Sequence, residues 1–424
     1  MGKKTQIISS NKNPVSVYFC IFILFLTSME LWIAWNGRSY YINFFVGLCL
    51  WILIKINCIK LIIGKKNVYL FIILLLSYVY LSLAHFSING IVAGLLGYLF
   101  PVSLIIFLND EDRVKCLGYI VKWFAILMIP AMITYLLCQT IGLPSLGTLK
   151  LSDNPYQPDS YLFKENYFFC TMYSLKETVR FNGPFNEPGH LGMMSAFLLF
   201  ADGYKFNKSS TWVILLALLM TLSLSGYVLA FFGFLFVKYN RGKLQLKFII
   251  LFLLIFLFGY LFVTFYNGGD NIINERIVSR LEPDEERGIA GNNRVFGDIH
   301  LYYLDMFNDT RLVLFGYDRE TIDWLASTGS RGTGMEMFMV ANGVVGIFLS
   351  LSFYFFCFLF RKPKKAAALY FLFVFLLLLQ RSYWFWFSWI ICYLYGFNTW
   401  NRNQNQKKFS KHPCKVGRYH NSRT

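Results

Sequence analysis

Long apolar runs constrain this chain more than any other feature. A bilayer core offers backbone N–H and C=O groups no partner. A chain that crosses it must close its hydrogen bonds inside helices or a closed barrel. Apolar runs near the length of a helical span point to helices. We place twelve expected spans near residues 15–35, 40–58, 67–85, 88–108, 117–139, 189–204, 211–223, 226–238, 246–266, 335–360, 366–380 and 382–398. Composition agrees: 56% of the residues are apolar and 19% aromatic, unlike a soluble domain. The expected fold class is an all-α polytopic membrane protein of about twelve transmembrane helices, with two long external loops carrying short amphipathic helices. The run from Val15 to Ala34 has no small-residue cleavage site after it and reads as a retained helix. Lys55 and Lys60, beside the second run, are expected to snorkel to the inner surface.

Charge gives the expected orientation. The chain carries a net charge of +17. With twelve spans and an inner N-terminus, the inner segments collect 26 Lys and Arg, while the short outer segments hold only Arg38 and Arg381. This is the positive-inside pattern, so the charge does not argue for nucleic acid. The seventh and eighth runs are short. Merging them at Ser225-Gly226 would turn every later segment over and put the Arg361 cluster outside, so a hairpin is expected there. The chain then divides into helices 1–5 (residues 1–141), a first external loop (142–188), helices 6–9 (189–266), a second external loop (267–334), helices 10–12 (335–398) and a solvated basic cytoplasmic tail (399–424). Both termini are expected on the inner, cytoplasmic side.

The two loops carry the chemistry. Between Tyr266 and Gly334 there are seven Arg and no Lys, whereas the rest of the chain has 24 Lys and 9 Arg. Arginine's planar fork matches phosphate and carboxylate. Arg180, Arg280, Arg294 and Arg331 are the candidate ligands for a phosphate-bearing substrate. The plain alternative is that the arginines pair with the second loop's twelve Asp and Glu. The first loop ends RFNGPFNEPGHLGM. Gly183-Pro184 marks a turn, Pro188 suits a first helical position, and Asn186 or Glu187 can cap. The second loop ends STGSRGTGM and also opens an inward-running helix. Two helix N-termini aimed outward near arginines suit an oligo-anion, although each is also an ordinary helix start.

Glu187 is the candidate general base and His190 its alternative. The stretch Tyr161–Tyr173 is rich in aromatics and suits the bilayer interface. Ile299, Tyr302, Tyr303, Met306 and Phe307 recur at helical spacing, which favours packing on the membrane domain. Asp318 is placed to cap a short helix through Trp324. The nine cysteines show neither metal-finger nor redox spacing, and no cofactor or metal is expected.

The string RFNGPFNEPGH resembles the motif before a mid-chain helix in Wzy-type O-antigen and capsule polymerases. LSLSGYVLAFFGFLF is similar to the break that follows it, and MEMFMVANGVVGIFLSL to the helix after the second loop. The likeness covers roughly residues 117–360. It implies a membrane glycosyltransferase that polymerises repeat units linked to undecaprenyl pyrophosphate at the outer face of the inner membrane. The implied partners are that lipid-linked glycan as donor and acceptor, membrane lipids, a chain-length regulator and a flippase. The alternative is an O-antigen ligase, which typically carries a His followed by Asn where this chain reads Ser330-Arg331-Gly332-Thr333. A polysaccharide transporter or flippase ranks below both, since it would show internal repeats and shorter loops.

Overall fold

The protein is described by a computed structural model covering residues 14–35, 38–84, 88–150, 162–173, 180–243, 245–271, 274, 278–279, 283–284, 288–289, 298–328 and 334–411. Helices dominate. In order they are α1 (Val15–Thr27), α2 (Arg38–Ile56), α3 (Lys65–Ala84), α4 (Ile88–Gly94), α5 (Phe100–Phe107), α6 (Asp110–Ile141), α7 (Pro188–Asp202), α8 (Ser209–Met220), α9 (Leu224–Asn240) and α10 (Leu246–Phe265). Short helices α11 (Ile299–Asp305), α12 (Thr310–Phe315) and α13 (Arg319–Ser327) follow, then α14 (Gly334–Phe360), α15 (Lys364–Gln380) and α16 (Phe387–Lys411). A π-helical turn at Leu95–Leu99 joins α4 to α5.

Helix α7 is the axis of the fold. Each of its fifteen residues is buried, which places protein on all sides of it. Small residues let its neighbours close in. A Cβ on Gly226 of α9 would lie 3.0 Å from the backbone of Gly192, and one on Gly396 of α16 would lie 2.7 Å from Ala201 Cβ. Close approach of this kind drives helix association where water contributes little. Gly226 meets Gly192, and Gly233 meets Phe200 and Tyr204, so α9 runs parallel to α7. Helix α8 runs the other way. Its C-terminal Met220 accepts the Phe181 N–H at 3.1 Å, and Thr211 at its start bonds Lys205 beyond the far end of α7. The chain therefore reverses at Thr221–Ser223, where Leu222 takes a positive φ of 46° and Ser223 caps α9.

Twelve spans are not supported by helix length. Four described helices are long and apolar enough to cross a membrane: α2, α3, α6 and α14. Val15–Thr27, Ser209–Met220 and Leu224–Asn240 are shorter apolar helices of 13, 12 and 17 residues. At about 1.5 Å per residue they fall short of a hydrocarbon core of about 30 Å. The polar break at Thr221–Ser223 and the left-handed Gly203 that ends α7 account for part of the shortening.

Two other expectations change. The first loop holds an antiparallel sheet rather than an amphipathic helix: β1 (Gly147–Lys150), β2 (Leu162–Glu165) and β3 (Thr171–Tyr173), in that order. Along β2, Phe163 is buried against Trp35 and Lys164 is exposed, the period of a strand. The second loop adds a two-residue pair, β4 (Pro283–Asp284) with β5 (Gly288–Ile289). The tail does not begin at residue 399 as a solvated segment. Helix α16 continues through Lys411, with Thr399 and Trp400 buried and the indole N–H donating to the Phe200 carbonyl at 3.0 Å.

Candidate functional site

The site begins with the turn before α7. Gly183 has φ +58°, the left-handed conformation that favours glycine. Around it the backbone is pinned by side chains. The Thr171 hydroxyl bonds the Gly183 and Phe185 carbonyls at 3.0 and 3.1 Å, and the Asn182 amide donates to Phe185 O at 2.6 Å. The Trp32 N–H donates to Pro184 O at 3.3 Å, and Leu31 bridges Phe185. This fixes Glu187, extended at the N-cap, and Pro188 in the first helical turn. Glu187 occupies the cap position but its carboxylate makes no capping hydrogen bond. It turns to Arg381.

Arg381 ends α15 and organises a cluster. Its Nη2 donates to Glu187 Oε1, and its Nη1 donates to the Tyr383 hydroxyl at 2.8 Å. That hydroxyl lies 2.6 Å from His190 Nε2, with Arg381 Nη1 at 3.3 Å and Glu187 Oε2 at 3.4 Å from the same nitrogen. Arg381 can only donate, so the Tyr383 oxygen accepts from it, while the direction of the Tyr383–His190 bond follows the imidazole tautomer. Nδ1 faces Glu30 Oε2 at 3.7 Å. Asn186 donates to the same Glu30 oxygen. Trp386 stacks on Tyr383 at 3.9 Å and meets the imidazole edge-on at 5.3 Å, so aromatic walls enclose the group.

These contacts set the charge states. Burial pushes the Glu30 carboxyl above its ordinary range, Asn186 opposes this, and Glu187 adds to it. Burial also pushes the Tyr383 hydroxyl up to about 12, against the pull of Arg381. For Arg381, burial works against the charged form, but Glu187 and Tyr383 outweigh it and hold the guanidinium above its usual value. Among the described residues no group of three or more His, Cys, Asp or Glu is arranged to hold a metal. In this cluster a guanidinium bonds the Glu187 carboxylate beside the imidazole.

A second helix start meets the same point. A Cβ built on Gly334, the first residue of α14, would lie 3.0 Å from Ser382 N and 3.2 Å from Arg381 Cα. The N-termini of α7 and α14 thus converge on Arg381. Of the residues expected to bind phosphate, Arg180 lies at the α8–α9 reversal, its Nε donating to Thr221 O at 3.0 Å. Arg280, Arg294 and Arg331 fall outside the described residues. Sequence reasoning placed Glu187 and His190 in the site but missed Glu30, Arg381, Tyr383 and Trp386. One signal was present: Arg381 stands as a lone charge between two apolar runs.

No family model, curated protein or solved structure matches this chain.

Proposed function

We propose that this protein is a polytopic membrane glycosyltransferase that polymerises oligosaccharide repeat units carried on undecaprenyl pyrophosphate. The observation that carries the reading is the convergence of two helix N-termini on Arg381, which bonds a carboxylate directly and reaches an imidazole through a phenol. Such a group combines positive potential for a pyrophosphate with acid–base atoms for a sugar hydroxyl.

In the proposed step the donor's bond from the sugar C1 to the pyrophosphate oxygen breaks. An acceptor hydroxyl oxygen bonds to C1, and its proton passes to the protein. Undecaprenyl pyrophosphate leaves with the bonding electrons. Glu187 is the assigned base and His190 the alternative. Glu187 is ion-paired with Arg381, and Tyr383 links Arg381 to His190 Nε2. Arg180, Arg280, Arg294 and Arg331 are assigned to the pyrophosphate. The reaction draws on no metal.

We also read the chain as crossing the bacterial inner membrane, with both termini in the cytoplasm. Contacts between segments support that sidedness. Glu187 and Arg381 come from two separate segments that the charge pattern puts outside, and they meet, with Glu30 from the end of the first expected span beside them. At the opposite end, segments assigned inside meet one another. Asn398 donates to Asp110 at 2.8 Å, Arg361 donates to Asn398, and Arg241 donates to Gly203 O at 2.6 Å.

The polysaccharide profile of a deletion strain tests the function. Glycan capped at a single repeat unit, restored to long chains by the wild-type gene, is the expected result. An unchanged profile, or complete loss of even single-repeat product, counts against polymerisation.

A further inference from the structure

We infer that helices α11 and α12 of the second loop are seated in the bilayer, with one face packed on α14 and the other against lipid acyl chains. This requires α14 to cross the membrane and is independent of the reaction proposed above.

The inner face is settled by a small separate core in which Ile299 and Met306 pack on Met339 and Val340. Backbone contacts fix its depth. Helix α14 is interrupted at Gly343, whose φ of +60° departs from helical geometry. The Val340 carbonyl accepts the Tyr317 N–H at 2.8 Å. A Cβ on Gly343 would overlap the Leu314 carbonyl, and one on Gly316 would lie 2.7 Å from the backbone of Ala341. The loop therefore docks backbone to backbone at the break.

That break lies where a bilayer would end. Residues 343–360 are eighteen residues, which rise about 27 Å against a hydrocarbon core of about 30 Å. Arg361 and Lys362 then follow at the opposite headgroups. The outward face of the docked helices carries four large exposed apolar side chains, interleaved with the exposed polar residues Asp305, Asn308 and Arg311. Leu301 is 63% exposed, Leu304 52%, Phe307 54% and Phe315 52%. Directly below the dock, Val344 and Phe348 of α14 are also exposed, one helical turn apart. The apolar part of this surface continues from the loop helices onto α14, and lipid is the occupant continuous with both, its headgroups facing the interleaved polar residues. Further polar groups lie at the other border. His300 Nδ1 meets Glu336 Oε1 at 3.1 Å, seven residues before the break, and Arg319 pairs with Asp323 at 3.2 Å. This sidedness is that of an interfacial amphipathic element.

The test uses the full-length protein without its native cysteines, reconstituted in phosphatidylcholine vesicles. A bimane label is placed on Leu304→Cys or Phe315→Cys, with Phe348→Cys and Asp323→Cys as lipid and water references. Lipids brominated at shallow or deep acyl positions, and aqueous iodide, serve as quenchers. Labels at 304 and 315 should be quenched most by shallow bromolipid, at a depth of about 5–10 Å below the headgroup boundary. Iodide should reach them far less than it reaches 323. Iodide quenching equal to that at 323 would overturn the proposal. So would quenching by neither agent, which would mean that protein covers the face. Absence of bromolipid quenching at 348 would remove its premise.

Discussion

At the scale of single residues, Arg381 is the member whose loss the cluster tolerates least. Removing it leaves Glu187 beside Glu30 with no cation between them. Breaking a buried pair costs about 3–5 kcal/mol, and Glu187 is a third exposed, so the expected cost of Arg381→Met is near the lower end, about 3 kcal/mol. Adding Glu187→Gln should return part of that loss, because the orphaned charge is gone. Thermal unfolding followed by size-exclusion recovery in detergent reads both variants. A single variant as stable as wild type, or a double variant worse than the sum of its parts, contradicts the assignment. The local half of this site was legible in the sequence. Pro188 and Gly183-Pro184 are short-range signals with one structural meaning each, and they located Glu187 and His190. Arg381 reaches Glu187 across 194 positions, and nothing in the neighbourhood of either residue announces the other.

At the scale of elements, the contact of α7 with α9 is the joint that positions the site. It depends on glycines at a point where the backbones nearly touch. Gly226→Leu must push α9 away from Gly192, and overpacking of this kind costs about 1–3 kcal/mol or more. Gly259→Leu on α10 is the control, since a Cβ there meets nothing within 4 Å. The expected outcome is loss of folded protein for the first and none for the second. Equal stability of the two would show that the joint is loose. Element types were read with uneven success for physical reasons. Asp318 caps α13 by accepting the Thr321 N–H at 2.8 Å, a pattern confined to four residues. The sheet of the first loop was missed because its aromatics obscure a period of two. The extent of α16 was missed because the polarity after Asn398 hides a buried Trp400.

At the scale of the whole molecule, the protein has two poles, and the charge pattern assigns each a side of the membrane. Single cysteines at Arg38 and Asp284, in a background free of native cysteine, should react with an impermeant reagent from outside. Cysteines at Asn240 and Lys362 should not. Reaction at Asn240 would reverse the orientation of α9 and everything after it. The central claim is chemical and can be met directly. Purified protein given only undecaprenyl-pyrophosphate repeat units, with a chelator present, should produce a ladder of longer lipid-linked glycans. Glu187→Gln should slow that ladder by about a hundredfold or more, the scale of one acid–base group. A ladder that forms only with divalent metal, or transfer seen only when a lipid A core acceptor replaces the second repeat unit, would contradict the account.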